Sequence, residues 1–201
     1  MGDVNINGTG TGNTYGDLQY AVGATSVGYN TYTAGQFATS VGAYNVNSTN
    51  YFLANTNTIN GKSTVSQGFG ATILGSLNSN ESRNSQSVVS GMANSIVGVA
   101  NRVSNASGAL VFGAGNQITN SLQNDDTLSG VLPTSKWDLL SMPWNASDFA
   151  AKLRELVKNS DGGGSTLAIG GANTADWTLE TALLGVGNTG ECQMIFRRNC
   201  S

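Results

Sequence analysis

The chain has 201 residues, of which 10% are charged, where globular domains typically have about 25%, and its formal net charge is −3. So few Lys and Arg give no electrostatic basis for binding nucleic acid or an anionic membrane. The absence of histidine removes the commonest general base and metal ligand, and we therefore expect no enzyme activity and no cofactor.

Residues 1–121 hold only six charged side chains and carry most copies of a recurring Gly-x-x-Asn motif. Residues 1–30 lack the basic start and apolar run of a signal peptide, and no apolar stretch approaches the ~20 residues of a membrane helix. The motif occurs at Gly42–Asn45, Gly75–Asn78, Gly91–Asn94, Gly98–Asn101, Gly113–Asn116, Gly170–Asn173 and Gly185–Asn188. Glycine and asparagine both tolerate a positive φ, so the pattern predicts tight corners after short strands.

The spacing of the motif predicts a β-solenoid. Thr25-Ser26-Val27-Gly28 returns fourteen residues later as Thr39-Ser40-Val41-Gly42, and Gly98 and Gly113 are fifteen residues apart. A period of about 14–16 residues accommodates two strands of about five residues with tight turns, which is one coil of such a fold. We expect an all-β roll of parallel strands.

The strands that precede the later corners are apolar at successive positions, as in Thr72-Ile73-Leu74 and Leu110-Val111-Phe112. Alternate residues of a strand face opposite sides, so both faces of these strands need to be buried. One face fills the interior of the coil. For the other face the simplest partner is the same strand in a symmetry-related chain.

Residues 122–165 differ from the rest of the chain, because they hold ten charged side chains, both prolines and two of the three tryptophans. We interpret them as an insertion between coils, which gives three units: 1–121, 122–165 and 166–201. Within the insertion, residues 147–158 have an N-terminal cap and an apolar i, i+4, i+7, i+8 stripe, which predicts a short α-helix.

An aromatic and apolar cluster precedes that helix, and exposed tryptophan often anchors binding interfaces. The cluster is the candidate receptor-binding site and consists of Trp137, Leu139, Leu140, Met142 and Trp144. The alternative, which we favour, is that these side chains seal the insertion against the roll or a neighbouring chain, since a helix of about 11 residues needs a surface to dock on.

Residues 166–201 return to the Gly-x-x-Asn pattern and end with the only two cysteines, Cys192 and Cys200. A disulfide between them would close a short loop and contribute roughly 2.5 kcal/mol. We expect this intrachain bond if the protein is exported, and two free thiols or an interchain link are the alternatives.

Several segments resemble the YadA-like heads of trimeric autotransporter adhesins, whose repeats of about fourteen residues pair Ser-x-Ala-Ile-Gly-like strand endings with Asn-rich turns. The best matches are Ser40–Asn45, Leu110–Asn116 and Leu167–Asn173. The resemblance covers about residues 15–121 and 166–190. It implies a left-handed parallel β-roll that forms a homotrimer.

The resemblance also implies a function. Heads of this family stand on the outer membrane of Gram-negative bacteria through a coiled-coil stalk and a barrel, neither of which this sequence contains, and they bind collagen, other matrix proteins or CEACAM-type receptors. The predicted insertion resembles the helical or loop insertions that some of these heads carry, and a fusobacterial CEACAM-binding adhesin is one match for such a head. We therefore expect an extracellular adhesin head.

Two alternatives belong to other functional classes. Phage tail fibres and tailspikes are also trimeric β-solenoids, and some bind or depolymerise glycans. Depolymerisation requires a pair of carboxylates in a groove. The third interpretation is a structural spacer whose insertion only braces the trimer.

Overall fold

The computed structural model describes residues 5–7, 24–33, 37–47, 58–59, 62–63, 68, 70–81, 91–121, 151, 165–178 and 180–191. Nearly all of these residues lie in strands or in the turns that join them, and Ala151 alone among them has helical backbone. The prediction of an all-β fold is confirmed for the described residues.

Seventeen strands occur in the described residues. In chain order they are β1 Asn5–Asn7, β2 Thr25–Tyr29, β3 Thr31–Thr33, β4 Thr39–Ala43, β5 Val46–Asn47, β6 Thr58–Ile59, β7 Lys62–Ser63, β8 Thr72–Ser76, β9 Ser79–Glu81, β10 Ser95–Val99, β11 Arg102–Ser104, β12 Leu110–Ala114, β13 Gln117–Thr119, β14 Leu167–Gly171, β15 Thr174–Asp176, β16 Ala182–Val186 and β17 Thr189–Glu191.

Two parallel sheets form the roll. The long-strand sheet contains the seven five-residue strands in the order β16-β14-β12-β10-β8-β4-β2, and the short-strand sheet has the order β1-β3-β5-β9-β11-β13-β15-β17. Strands β6 and β7 form a separate antiparallel pair. Each coil therefore contributes one long and one short strand, and we number the coils 1 to 7 from the long strands β2, β4, β8, β10, β12, β14 and β16. The predicted parallel solenoid is confirmed, although its second strand is shorter than the sequence analysis predicts.

A column of glycines runs through the long-strand sheet at the fourth position of every strand. The glycine column consists of Gly28, Gly42, Gly75, Gly98, Gly113, Gly170 and Gly185, which pair in register. Their φ angles lie between +117° and +134°, a region that L side chains rarely adopt. A Cβ on Gly113 would lie 1.8 Å from the carbonyl oxygen of Gly170, so only glycine allows adjacent coils to pack at this distance.

The corner between the long and short strands differs from the sequence-based expectation in one respect. The residue in the left-handed region is the third of the motif, such as Tyr44 (φ 55°) or Ala100 (φ 56°), whereas the asparagine that follows is held by hydrogen bonds. The Gly91–Asn94 match also lies at a different corner, because Asn94 precedes β10 and Gly98 occupies the glycine column. Six of the seven predicted motifs therefore stack in register.

The interior of the roll lies between the second residue of each long strand and the inward residue of each short strand. It is polar in coils 1 and 2, where Thr33, Ser40 and Asn47 are buried, mixed in coil 3, where Ile73 and Asn80 are both buried, and apolar from coil 4 onward. The apolar core cluster consists of Ile73, Ile96, Val103, Ala106, Ala109, Val111, Ile118, Ala168, Ala175 and Leu183.

Coil length varies on one side of the roll only. Coils 4 and 6 are each fifteen residues long, measured from one glycine of the column to the next, as from Gly98 to Gly113. Coils 2, 3 and 5 are longer. The additional residues of the longer coils all fall between a short strand and the next long strand. Strand β12 nevertheless pairs directly with β14, and β13 with β15, across residues 122–164.

Most of the predicted insertion lies outside the described residues, as does the predicted helix at 147–158 except for Ala151. The division into 1–121, 122–165 and 166–201 stays a prediction.

Candidate interaction face

The long-strand sheet turns an apolar column outward. The third residue of each long strand faces away from the interior, and the register places these residues directly above one another. This apolar column consists of Val27, Val41, Leu74, Val97, Phe112, Ile169 and Leu184. Six of the seven are exposed, Phe112 at 56% and Leu184 at 64%, and Val97 is half-buried.

The surroundings of the apolar column are also uncharged. The seven long strands contain no charged residue, and Leu110, Val99 and Val186 add exposed apolar side chains at the first and fifth positions. A monomeric protein rarely exposes a contiguous apolar surface of this kind, and such surfaces usually mark interaction sites. We call the outer side of the long-strand sheet the apolar face.

The outer side of the short-strand sheet is different. From coil 3 onward the outward position at the start of each short strand is polar, as at Ser79, Arg102, Gln117 and Thr174, whereas Tyr32 and Val46 occupy it in coils 1 and 2. One sheet of the roll therefore has an outer surface typical of contact with water, and the other has an outer surface typical of contact with protein.

An asparagine ladder at the corner fixes the spacing of the long strands. In the middle of the ladder, the Nδ2 of Asn101 donates to Asn78 Oδ1 (3.0 Å) and to Gly113 O (2.8 Å). The Oδ1 of Asn101 accepts from the backbone N (3.0 Å) and the Nδ2 (2.9 Å) of Asn116. The ladder comprises Asn45, Asn78, Asn101, Asn116, Asn173 and Asn188. In coil 1, Thr31 occupies this position, and its hydroxyl donates to Gly42 O (3.2 Å).

A second, shorter ladder lies in the polar half of the interior. Asn94 Nδ2 donates to Asn80 Oδ1 (2.9 Å), and Asn80 Nδ2 donates to Asn47 Oδ1 (3.1 Å). Asn47 completes the series by donating to the carbonyl oxygens of Thr39 and Ala71. The buried amides of this ladder are therefore hydrogen-bonded, as buried polar groups usually are, whereas the buried hydroxyl oxygen of Ser40 has no hydrogen-bond partner among the described residues.

Bulky side chains occupy the left-handed corner position in the early coils. Tyr44 and Leu77 have φ angles of 55° and 60° and are more than half exposed, and Tyr29 packs edge to face on Tyr44 with ring centroids 5.3 Å apart. The corresponding residues of later coils are small, as at Gly115 and Ala172. A large residue in this conformation costs about 1–2 kcal/mol relative to glycine.

We expect Leu77→Gly to raise the free energy of unfolding by about 1 kcal/mol, because it removes that backbone strain and little buried surface. Urea denaturation at a fixed chain concentration measures the change. The matched control is Leu74→Gly, which lies within strand β8 and is expected to destabilise the protein. A loss of stability in Leu77→Gly as large as that of the control would contradict the expectation.

The sequence-predicted site residues lie outside the described residues. This holds for Trp137, Leu139, Leu140, Met142 and Trp144, and also for Cys192 and Cys200. The structure does describe the two places where the roll adjoins the predicted insertion, Ser121 and Ser165.

Buried hydroxyl groups join those two places. Ser121 Oγ donates to Thr178 O (2.6 Å) and lies 2.6 Å from Thr166 Oγ1, which in turn lies 3.0 Å from Thr178 Oγ1. The backbone N of Ser165 donates to Ser107 O of the preceding coil. The chain therefore resumes its place in the roll immediately after residue 164.

Replacing residues 122–164 with a single serine is expected to leave the roll folded. The change gives coil 5 the same length as coils 4 and 6, and it retains the Ser121, Thr166 and Thr178 contacts. Circular dichroism and urea denaturation check the result. Deleting 122–165 without a bridging residue is the control, because it leaves coil 5 shorter than any other coil and should prevent strands β12 and β14 from pairing.

The sequence did not indicate that the apolar column starts in coil 1. Val27 and Val41 follow the small polar residues Thr25-Ser26 and Thr39-Ser40, so the sequence of these strands looks polar. In the structure both valines face outward, in register with Leu74. The fourteen-residue repeat of Thr-Ser-Val-Gly was the available signal, since aligning it on Ile73-Leu74-Gly75 places the valines in the outward position.

In the part of the chain that the structure describes, no helix is long and apolar enough to cross a membrane. The same residues contain no group of three or more His, Cys, Asp or Glu side chains placed to hold a metal ion. Comparison of the chain with protein-family models, with curated proteins and with solved structures finds no match in any of the three.

Proposed function

We propose that this protein is the homotrimeric β-roll head of a bacterial surface adhesin, displayed outside the outer membrane of a Gram-negative cell. The observation that carries the proposal is the apolar face, which extends over all seven coils of the described roll. The resemblance to YadA-like heads supplies the number three, the left-handed winding and the cell-surface location.

Three features of the described residues support self-association through this face. The seven outward side chains of the apolar column share one register position, the long strands contain no charge, and the asparagine ladder joins neighbouring coils by hydrogen bonds. An uncharged apolar surface of this kind gains free energy when it is buried between identical copies. The association is expected to depend little on salt, because no ion pairs are available on this face.

Sedimentation analysis tests the proposal, with an expected particle mass three times the 20.6 kDa of the chain. Phe112→Asp should dissociate the particle, because three carboxylates would be buried together near the symmetry axis. Gln117→Asp in the same coil, on the short-strand sheet, is the matched control and should leave the mass unchanged. A monomeric wild-type protein would contradict the proposed trimer.

Attachment to a host protein, either a CEACAM-type receptor or collagen, is the second part of the proposal. Three identical sites per head and many heads per cell convert modest single contacts into strong attachment. The candidate receptor-binding residues Trp137, Leu139, Leu140, Met142 and Trp144 belong to the insertion, which is joined to the roll on the side of the coils away from the corner that carries the asparagine ladder.

The serine-bridged variant that lacks residues 122–164 separates the two roles of the insertion. If the insertion binds the host protein, this variant keeps the trimeric mass and loses capture of the receptor from host-cell surface extracts. Trp137→Ala with Trp144→Ala should then show the same loss. Capture that is unchanged in both variants would place the binding site on the roll, and loss of the trimer in the bridged variant would assign the insertion a bracing role.

A further inference from the structure

Two buried hydroxyl groups in coils 1 and 2 have no hydrogen-bond partner among the described residues. Thr33 and Ser40 are both 0% exposed, and neither Thr33 Oγ1 nor Ser40 Oγ forms a hydrogen bond. Folding removes such a group from water, and in native structures a buried hydroxyl is therefore usually paired with protein or with an ordered water molecule. The two groups lie in neighbouring coils, so one partner placed between them accounts for both.

Both hydroxyl groups belong to side chains that face the interior. Ser40 is the second residue of β4 and pairs with Ser26 of β2, whereas Thr33 is the inward residue of β3 and pairs with Asn47 of β5. The two inward columns are within reach of one side chain, because the Nδ2 of Asn47 crosses the interior to Thr39 O, next to Ser40 (3.0 Å). The inward side chains of coils 1 and 2 therefore line one polar region.

This polar region is separated from bulk solvent. Strand β1 covers the short-strand side of coil 1, with Asn7 opposite Thr33. On the side of coil 3, Ile73 pairs with Ser40, is 0% exposed and belongs to the apolar core cluster. A partner for the two hydroxyl groups is therefore an internal one.

The free hydrogen-bonding groups of the region define what it binds. Asn47 Nδ2 already donates to two backbone carbonyl oxygens, and Ser26 Oγ donates to Thr31 O (3.1 Å). The hydroxyl hydrogens of Thr33 and Ser40 are therefore the donors still available. Acceptor capacity remains on Ser26 Oγ and on Asn47 Oδ1, which accepts one bond from the next coil. The region thus offers both donors and acceptors to a small ligand.

The absence of charge in these coils decides between water and an ion. Residues 24–33 and 37–47 contain no charged side chain. Burying an anion or a cation without a compensating charge is strongly unfavourable. A water molecule is neutral, both donates and accepts, and typically makes about three hydrogen bonds when it is buried.

We propose that coils 1 and 2 enclose a structural water molecule that bridges Thr33 Oγ1 and Ser40 Oγ. In these coils it takes the place of the apolar contacts that Ile96 and Val103 make at the same register positions in coil 4. The inference rests on the polar groups of the interior and is independent of the proposed adhesin function.

A crystal structure of the protein tests the proposal directly, with density for a water expected within about 3 Å of both hydroxyl oxygens. Urea denaturation gives a second measurement. Ser40→Ala and Thr33→Val should each lower the midpoint by about 0.5 M, because each removes a hydrogen bond to the water. Thr39→Val, on the outward side of the same strand as Ser40, is the control and should leave the midpoint nearly unchanged.

The direction of the midpoint shift separates the proposal from its alternative. If the hydroxyl groups were unpaired in solution, Ser40→Ala and Thr33→Val would remove an unfavourable buried group and raise the midpoint. That rise, or a crystal structure with no density between the two oxygens, would overturn the proposal. Anomalous density at the site after growth in bromide would also overturn it, because an anion would then occupy the place assigned to water.

Discussion

Gly113→Ala is expected to lower the free energy of unfolding by more than about 4 kcal/mol, as are alanine substitutions elsewhere in the glycine column that meet a carbonyl oxygen of the next coil. The new Cβ would lie 1.8 Å from Gly170 O and 3.2 Å from Gly170 N, and both are backbone atoms that cannot rotate away. Relieving the overlap requires strands β12 and β14 to separate, which breaks the asparagine ladder between Asn116 and Asn173 as well. A shift of the urea midpoint of about 2 M at a fixed chain concentration is the expected measurement.

The matched control is Gly115→Ala, two residues further along the same coil. Gly115 also has a positive φ of 68°, but the nearest heavy atom to its added Cβ is Ala172 N at 3.9 Å. Alanine occupies the equivalent corner in two other coils, at Ala100 and Ala172, with φ angles of 56° and 54°. We expect a cost of about 1 kcal/mol. Similar losses for the two variants would mean that backbone strain, and not the contact between coils, makes glycine necessary.

Asn101→Ala is expected to cost about 3–5 kcal/mol. The substitution removes the side-chain partner of Gly113 O and of the backbone N–H of Asn116, and each such group costs about 1–3 kcal/mol. Asn78 Oδ1 loses one of its two bonds to residue 101 and keeps the bond from the backbone N. Asn101→Thr should recover part of the loss, because the hydroxyl of Thr31 makes the equivalent bond to Gly42 O in coil 1. Urea denaturation followed by circular dichroism measures both.

Asn188→Ala provides the control for position within the ladder. Asn188 is the last member, it is half-exposed, and its Nδ2 bonds within its own coil and to Asn173 Oδ1. We expect a loss of about 1 kcal/mol, since water can reach the groups that are left unpaired. If Asn101→Ala cost no more than Asn188→Ala, the ladder would not be the element that holds the coils in register.

The repeat made the architecture predictable, because a Gly-x-x-Asn motif that recurs at so short a period has few solutions other than a stack of two-stranded coils. The prediction of which corner residue has a positive φ was wrong. Sequence reasoning attributed a positive φ to asparagine, whereas the left-handed residue is Tyr44, Leu77 or Ala100, and the amide is required for a bond to the next coil. A local preference was visible in the sequence, and a contact with a residue 12 to 54 positions away was not.

The candidate interaction face was predictable in part. Leu74 and Phe112 were recognised as residues that needed a second apolar surface, since they follow apolar interior residues. Val27 and Val41 were not, because serine fills the interior position before each of them and the strand therefore lacks two successive apolar residues. No local pattern of the sequence identifies the partner that covers this face.

Because coil length varies only between a short strand and the next long strand, insertions and deletions at that side of the roll have a small energetic cost. Closing a loop becomes more costly only with the logarithm of its length, so extending a coil from the length of coil 4 to that of coil 5 costs about 1 kcal/mol. No addition on that side displaces a glycine or an asparagine from its stack. Segments of almost any length and composition can therefore be gained, lost or exchanged there while the packing of the roll is preserved, which allows surface variation to be selected independently of folding.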